Sequence, residues 1–203
     1  MRLKLFPPLS LALSLFTLIH PAVSQTAPAG YEARTLPITV GVGVSNIDVD
    51  WGRSRMYGDT LWIDYFPTRL PHMLSGLGVD VEGRDINYDR PTTVPSNFRQ
   101  DTAAGGPIYT WRRFPNFQIY GKGLIGFGSI DFMLNQPPYS RHDTRTIYAP
   151  GGGFLVHAYK HVWVRADYEY QFWPDFLPHN GTRTDDPQGF TLGAVYDFRG
   201  YRH

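Results

Sequence analysis

Residues 162–172, VWVRADYEYQF, alternate in character without a break. Val162, Val164, Ala166, Tyr168, Tyr170 and Phe172 occupy one parity, and Trp163, Arg165, Asp167, Glu169 and Gln171 the other. Successive side chains of a β-strand point to opposite faces, so one face here is apolar or aromatic and the other is charged. Two settings accept such a strand. In a water-soluble sheet the charged face looks outward. In an outer-membrane barrel the apolar face meets lipid and the polar face lines the lumen. The remainder of the chain decides between them.

The N-terminus carries the pattern of a secretory signal peptide. Arg2 and Lys4 form a positive start, Leu9 to Ile19 an apolar stretch, and Ala22-Val23-Ser24 a small-residue cleavage site. The expected organisation is a signal peptide at 1–24, a flexible lead-in at 25–37, a β-barrel at 38–199 and a tail at 200–203. No later apolar run approaches the ~18 residues of a transmembrane helix. Charged residues make up 18% of the chain, sparse beside the ~25% of an ordinary soluble domain. The sequence has no cysteine, which excludes disulfides, thiolate metal sites and a lipoprotein anchor. A net charge of +1 gives no reason to expect a nucleic-acid partner.

Alternation predicts eight strands: Ile38–Val49, Gly58–Phe66, Leu74–Tyr88, Ala103–Arg113, Phe117–Phe132, Thr144–Tyr159, Val162–Phe172 and Gly189–Phe198. In the first, Val40, Val42 and Val44 share a face, but Ile47 and Val49 fall on the other parity, which suggests a bulge near Asn46. The connections read as long and short in strict alternation. The long ones are Val49–Gly58, Tyr88–Thr102, Met133–Asp143 and Trp173–Gln188, and the short ones Pro67–Met73, Phe114–Asn116 and Lys160–His161. Membrane barrels alternate in this way, with short periplasmic turns and longer outer loops. Several strands run past ten residues, enough for the ~9–11 that cross a bilayer. Trp51, Tyr65, Trp111, Phe117, Phe132, Phe172, Trp173, Phe190 and Phe198 gather near strand ends, where a barrel has aromatic girdles. Lipid cannot satisfy backbone N–H and C=O groups, so a sheet within it must close on itself.

With the leader, eight alternating strands, loop alternation and the closing strand Gly189 to Phe198, the chain resembles the OmpA-like family of eight-stranded outer-membrane β-barrels, small porin-like members included. The resemblance implies an all-β, antiparallel, up-and-down transmembrane barrel in the bacterial outer membrane, embedded in outer-membrane lipid. Members typically end in a strand of alternating aromatics finishing in Phe, which the barrel assembly machinery reads. Phe198 fits that position, with Arg199 to His203 following.

Parity places Asp64, Asp80, Glu82, Arg84, Arg112, Lys122, Arg165, Asp167, Glu169 and Asp197 toward the lumen. An eight-stranded barrel is filled by its own side chains, and buried charges must pair, so these residues are expected to form a network that plugs the bore. A gated ion path is the alternative. Ser140, His142, Asp143 and His157 invite comparison with outer-membrane lipid A hydrolases or acyltransferases, but Ser140 and His142 read as loop residues without an oxyanion donor. His142, Asp143, Asp175 and His179 match no metal-ligand spacing. Gly41, Gly43, Gly126 and Gly128 lie in strands and form no nucleotide-binding fingerprint. No catalytic residue, metal or cofactor is therefore expected. The expected role is structural, adhesive or surface-binding, with an extracellular ligand at the long loops. The alternatives are a soluble lipocalin-like ligand carrier and a lipid-modifying barrel enzyme.

Overall fold

Each alternating stretch forms a strand, and eight of them close into one antiparallel barrel. The computed structural model describes residues 36–49, 55–88, 98–131, 142–176 and 183–199. The barrel strands are β1 (Ile38–Asp48), β2 (Arg55–Tyr65), β3 (Leu77–Tyr88), β4 (Phe98–Trp111), β5 (Phe117–Asp131), β6 (His142–Tyr159), β7 (Val162–Tyr170) and β10 (Gln188–Asp197). Between β7 and β10 lie β8 (Trp173–Phe176) and β9 (Arg183–Asp185), which pair only with each other as a separate two-stranded sheet. The barrel closes where β1 meets β10, in unbroken register from Thr39↔Asp197 to Asp48↔Gln188. Every neighbouring pair is antiparallel, and closure leaves the barrel no open edge.

The faces follow parity, with the apolar side out. Val42, Val44, Leu61, Ile63, Val79, Val81, Ile125, Phe127 and Leu192 are exposed, whereas Asp64, Asp80, Glu82, Arg84, Lys122, Arg165, Asp167 and Glu169 are buried. This is the inverse of a soluble β-protein and suits a lipid exterior.

Several sequence expectations are corrected. First, β1 has no bulge at Asn46: its ladders to β2 and β10 run without a shift. Ile47 and Val49 keep the inward parity and join Met56 and Ile86 in a buried apolar cluster toward the outer end. The apparent slip was a change in what the lumen accepts, from polar to apolar, and not a change of phase. Within the barrel the observed irregularity lies instead between β6 and β7, at His157/Tyr159.

Second, β4 begins at Phe98, within the stretch read as a loop. Its pairing with β3 extends to Tyr88↔Phe98, and a full ladder partner outweighs weak local propensity. Third, loop lengths do not alternate strictly. The β1–β2 connection is only 49–54, while the β2–β3 turn spans 66–76 and contains a 3-10 helix at His72–Leu74. Fourth, the stretch after β7 is not simply loop, since it contains the β8–β9 hairpin. His142 and Asp143, read as loop residues, belong to β6, opposite Asp131 and Ile130. The leader, the lead-in as far as residue 35, Ser140, His179 and the tail lie outside the described residues.

Candidate functional site

The inward faces of β2, β3, β5 and β7 bring eight of the ten predicted lumen residues together at mid-height. Arg165 from β7 sits at the centre. Its Nη2 is 3.0 Å from Asp80 Oδ2 and 3.0 Å from Asp167 Oδ2, and its Nη1 is 3.4 Å from Asp64 Oδ1. Its Nε donates to the Tyr120 hydroxyl at 2.8 Å. The same guanidinium lies 4.7 Å from the Trp62 ring centroid and 4.6 Å from that of Tyr120. Stacking on two rings adds cation–π attraction to the ion pairs and fixes the plane of the fork.

Lys122 from β5 forms the second centre. Its Nζ is 2.6 Å from Glu82 Oε2, 2.9 Å from Glu169 Oε2 and 3.1 Å from Asp167 Oδ2. Its Nζ donates a hydrogen bond to Glu82, and its contacts with Glu169 and Asp167 are ion pairs. Arg84 from β3 joins Glu169 at 2.8 Å, Glu82, and the Thr60 hydroxyl at 3.2 Å. Asp64 also accepts from Thr39 at 2.7 Å. Gln171 donates to Glu169 at 2.8 Å and accepts from Trp173 Nε1 at 3.0 Å, which carries the chain of bonds toward the outer end.

The side chains of Arg84, Lys122 and Arg165 are at most 1% exposed. Five carboxylates surround these three cations, so the formal balance is negative. Apolar layers flank the charges along the strands. Trp62, Trp163 and Val195 pack together toward the periplasmic end, as do Phe66, Ile108 and Tyr120. Ile47, Val49, Met56 and Ile86 lie toward the outer end. The low-dielectric flanks strengthen each ion pair and make any unpaired charge costly.

The other two predicted lumen residues stand apart. Arg112 follows the end of β4 and is exposed, with its guanidinium 4.5 Å from the Phe66 centroid. Asp197 ends β10 at the same rim and is held by Arg199 through Nε at 2.8 Å and Nη2 at 2.7 Å. Parity gives a side chain's face but not its height, and both residues lie at strand ends. Tyr120, Thr60 and Thr39 were missing from the predicted set. Tyr120 shares its parity with Lys122, so the signal was present, but an aromatic residue does not announce itself as a network member.

Of the predicted girdle, Tyr65, Trp111, Phe117, Phe172, Phe190 and Phe198 are exposed on the outer face. Trp51 and Phe132 lie outside the described residues. Trp173 is the exception: it is 0% exposed and points inward, donating to Gln171. The reason is local. Gly128 on β5 leaves the space its ring fills, and a Cβ at that position would stand 2.1 Å from the ring.

The model of the outer membrane protein beta-barrel domain family matches residues 11–198. The chain belongs to this family. Among solved structures it is similar to Neisserial surface protein A, at 10% identity and a TM-score of 0.59, covering 79% of this chain and 95% of that one. It is also similar to Ail, the attachment invasion locus protein of Yersinia pestis, at 20% identity and a TM-score of 0.51, covering 78% and 95%. A search of curated proteins returned no match. The family and its polar-in, apolar-out barrel place this protein in the bacterial outer membrane, surrounded by lipid. They overturn the soluble lipocalin-like alternative, because such a carrier needs an apolar interior and this bore is charged.

Proposed function

We propose that this protein is a non-enzymatic outer-membrane scaffold, its lumen plugged by the charged network, and that it works by binding or attachment through the outer connections 49–54, 89–97, 132–141 and 171–187. The observation that carries this reading is the ion-pair cluster of Arg84, Lys122 and Arg165 with five carboxylates, buried between apolar layers. A bore occupied in this way leaves the outer connections as the surface available to partners. The fold neighbours agree in kind: one is named a surface protein and the other an attachment protein. The C-terminal strand supplies the element through which the barrel assembly machinery would engage the chain.

Cells displaying the barrel are expected to adhere to an extracellular-matrix coat. Replacing 89–97 and 132–141 with Gly-Ser turns should lower adhesion by about tenfold, as loss of the principal contacts of an interface does. The boiled-against-unboiled gel shift should persist in the variant. Equal adhesion by a folded, loop-replaced barrel would contradict the proposal. Ser140→Ala and His142→Ala should leave lipid A acylation unchanged, and a change would favour the enzyme reading instead.

A further inference from the structure

The two ends of the barrel differ in charge. The periplasmic connections 66–76, 112–116 and 160–161 contain Arg69, Arg112, Arg113 and Lys160 and no acidic residue. The outer connections 49–54, 89–97, 132–141 and 171–187 mix the signs, with four arginines against five aspartates. All four periplasmic cations are exposed, and none forms an ion pair among the described residues. Arg199, on the same rim, is by contrast committed to Asp197 by bonds of 2.8 and 2.7 Å. Arg112 lies over Phe66 and donates a long 3.5 Å bond to the Ser75 carbonyl. Lys160 Nζ lies over the exposed ring of Tyr159, 5.0 Å from its centroid, so its charge stands beside the aromatic girdle. Arg69, Arg113 and Lys160 are the uncommitted cations of this end.

Large apolar side chains accompany them. Met73 and Leu74 belong to the 3-10 turn of the β2–β3 connection, and Met73 is 84% exposed, more than any apolar side chain of the barrel strands. The Tyr109 hydroxyl donates to the Met73 carbonyl at 3.3 Å, and the Thr110 N–H to the Gly76 carbonyl at 2.8 Å. Tyr109 shares its parity with Trp111, and both rings are exposed on the lipid-facing side of β4. The turn is thus fastened to the outside of the wall. Phe114, in the next connection round the rim, is exposed too. Bare apolar side chains beside cations are the composition of a segment that lies in a membrane interface, with the apolar groups among acyl chains and the charges at the headgroups.

We propose that this rim is a docking surface for anionic phospholipid of the inner leaflet, in which Arg69, Arg113 and Lys160 hold headgroup phosphates while Met73, Leu74 and Phe114 sit among the acyl chains. A leaflet presents many headgroups, so cations spread over three connections do not have to meet at one point. Guanidinium and ammonium groups both bind phosphate oxygens by charge-assisted bonds. Each Lys or Arg near an anionic surface strengthens attachment by about fivefold. An acidic protein would answer the charge as well, but it would not account for apolar side chains fastened against the lipid-facing wall. This surface lies opposite the outer connections, and its role is independent of theirs.

Native mass spectrometry of the full barrel in neutral detergent tests this, with dioleoyl phosphatidylglycerol and dioleoyl phosphatidylcholine as the titrants. Their acyl chains are identical, and only the net headgroup charge differs. The anionic lipid is expected to bind about tenfold more tightly, as two or more cations acting together require. Arg69→Gln, Arg113→Gln and Lys160→Gln should each weaken its binding by about fivefold and leave the zwitterionic lipid unchanged. Met73→Ser should weaken both lipids alike. Arg99→Gln, at the outer end, should alter neither, and the gel shift verifies folding of each variant. Equal binding of the two lipids by the wild-type barrel would overturn the proposal. So would a preference for the anionic lipid that survives undiminished in the folded triple variant of Arg69, Arg113 and Lys160.

Discussion

Arg165 and Asp80 are 3.0 Å apart, yet their substitutions should differ sharply. Arg165 answers Asp64, Asp80 and Asp167 together, and among the described residues no other cation forms an ion pair with Asp64 or Asp80. Arg165→Met should therefore cost about 3–5 kcal/mol, the cost of stranding buried charges. Asp80→Asn removes a negative charge from a cluster with more carboxylates than cations, and should cost no more than about 1 kcal/mol by comparison with an ordinary substitution. Urea unfolding in lipid vesicles measures both, and equal losses would contradict this account of the cluster. The members of the cluster were legible in sequence because alternation separates inward from outward residues. Their partners were not, because an ion pair such as Lys122 with Glu169 depends on strand order and register. Trp173 was misread for a related reason: Gly128, which makes room for it, is remote in sequence and adjacent only after folding.

Among the elements, strands were read well and their ends poorly. The faces of β2, β3, β5, β7 and β10 follow the alternation of their sequences. The start of β4 was hidden because its outer residues are held by the ladder to β3, a long-range fact. In β1, Ile47 and Val49 looked out of phase only because the lumen becomes apolar at that height. The β8–β9 hairpin is the element least needed by the barrel, since β7 and β10 pair directly from Tyr170↔Gln188 to Val162↔Tyr196. Replacing 175–184 with a short turn should leave the gel shift and the unfolding midpoint nearly unchanged. Trp173→Ala in the same segment should cost about 3–5 kcal/mol, the usual loss for emptying a buried aromatic site. If both changes destabilised alike, the hairpin would be an integral part of the barrel and not an appendage anchored by one residue.

At the scale of the whole molecule, lipid outside and charge inside are two aspects of one solution. A closed antiparallel sheet satisfies the backbone within the bilayer, and alternation then assigns one side chain to lipid and the next to the bore. Eight strands leave a bore only wide enough for side chains, and this chain supplies charged ones in the middle with apolar layers on either side. The proposed function depends on whether that arrangement excludes ions. Single-channel recording of the purified barrel in a planar bilayer tests it most directly. The account predicts a flat baseline for the wild-type protein across the voltage range that the bilayer tolerates. Discrete, reproducible conductance steps from the wild-type barrel, abolished on heat unfolding, would contradict it and make the charged cluster an ion path.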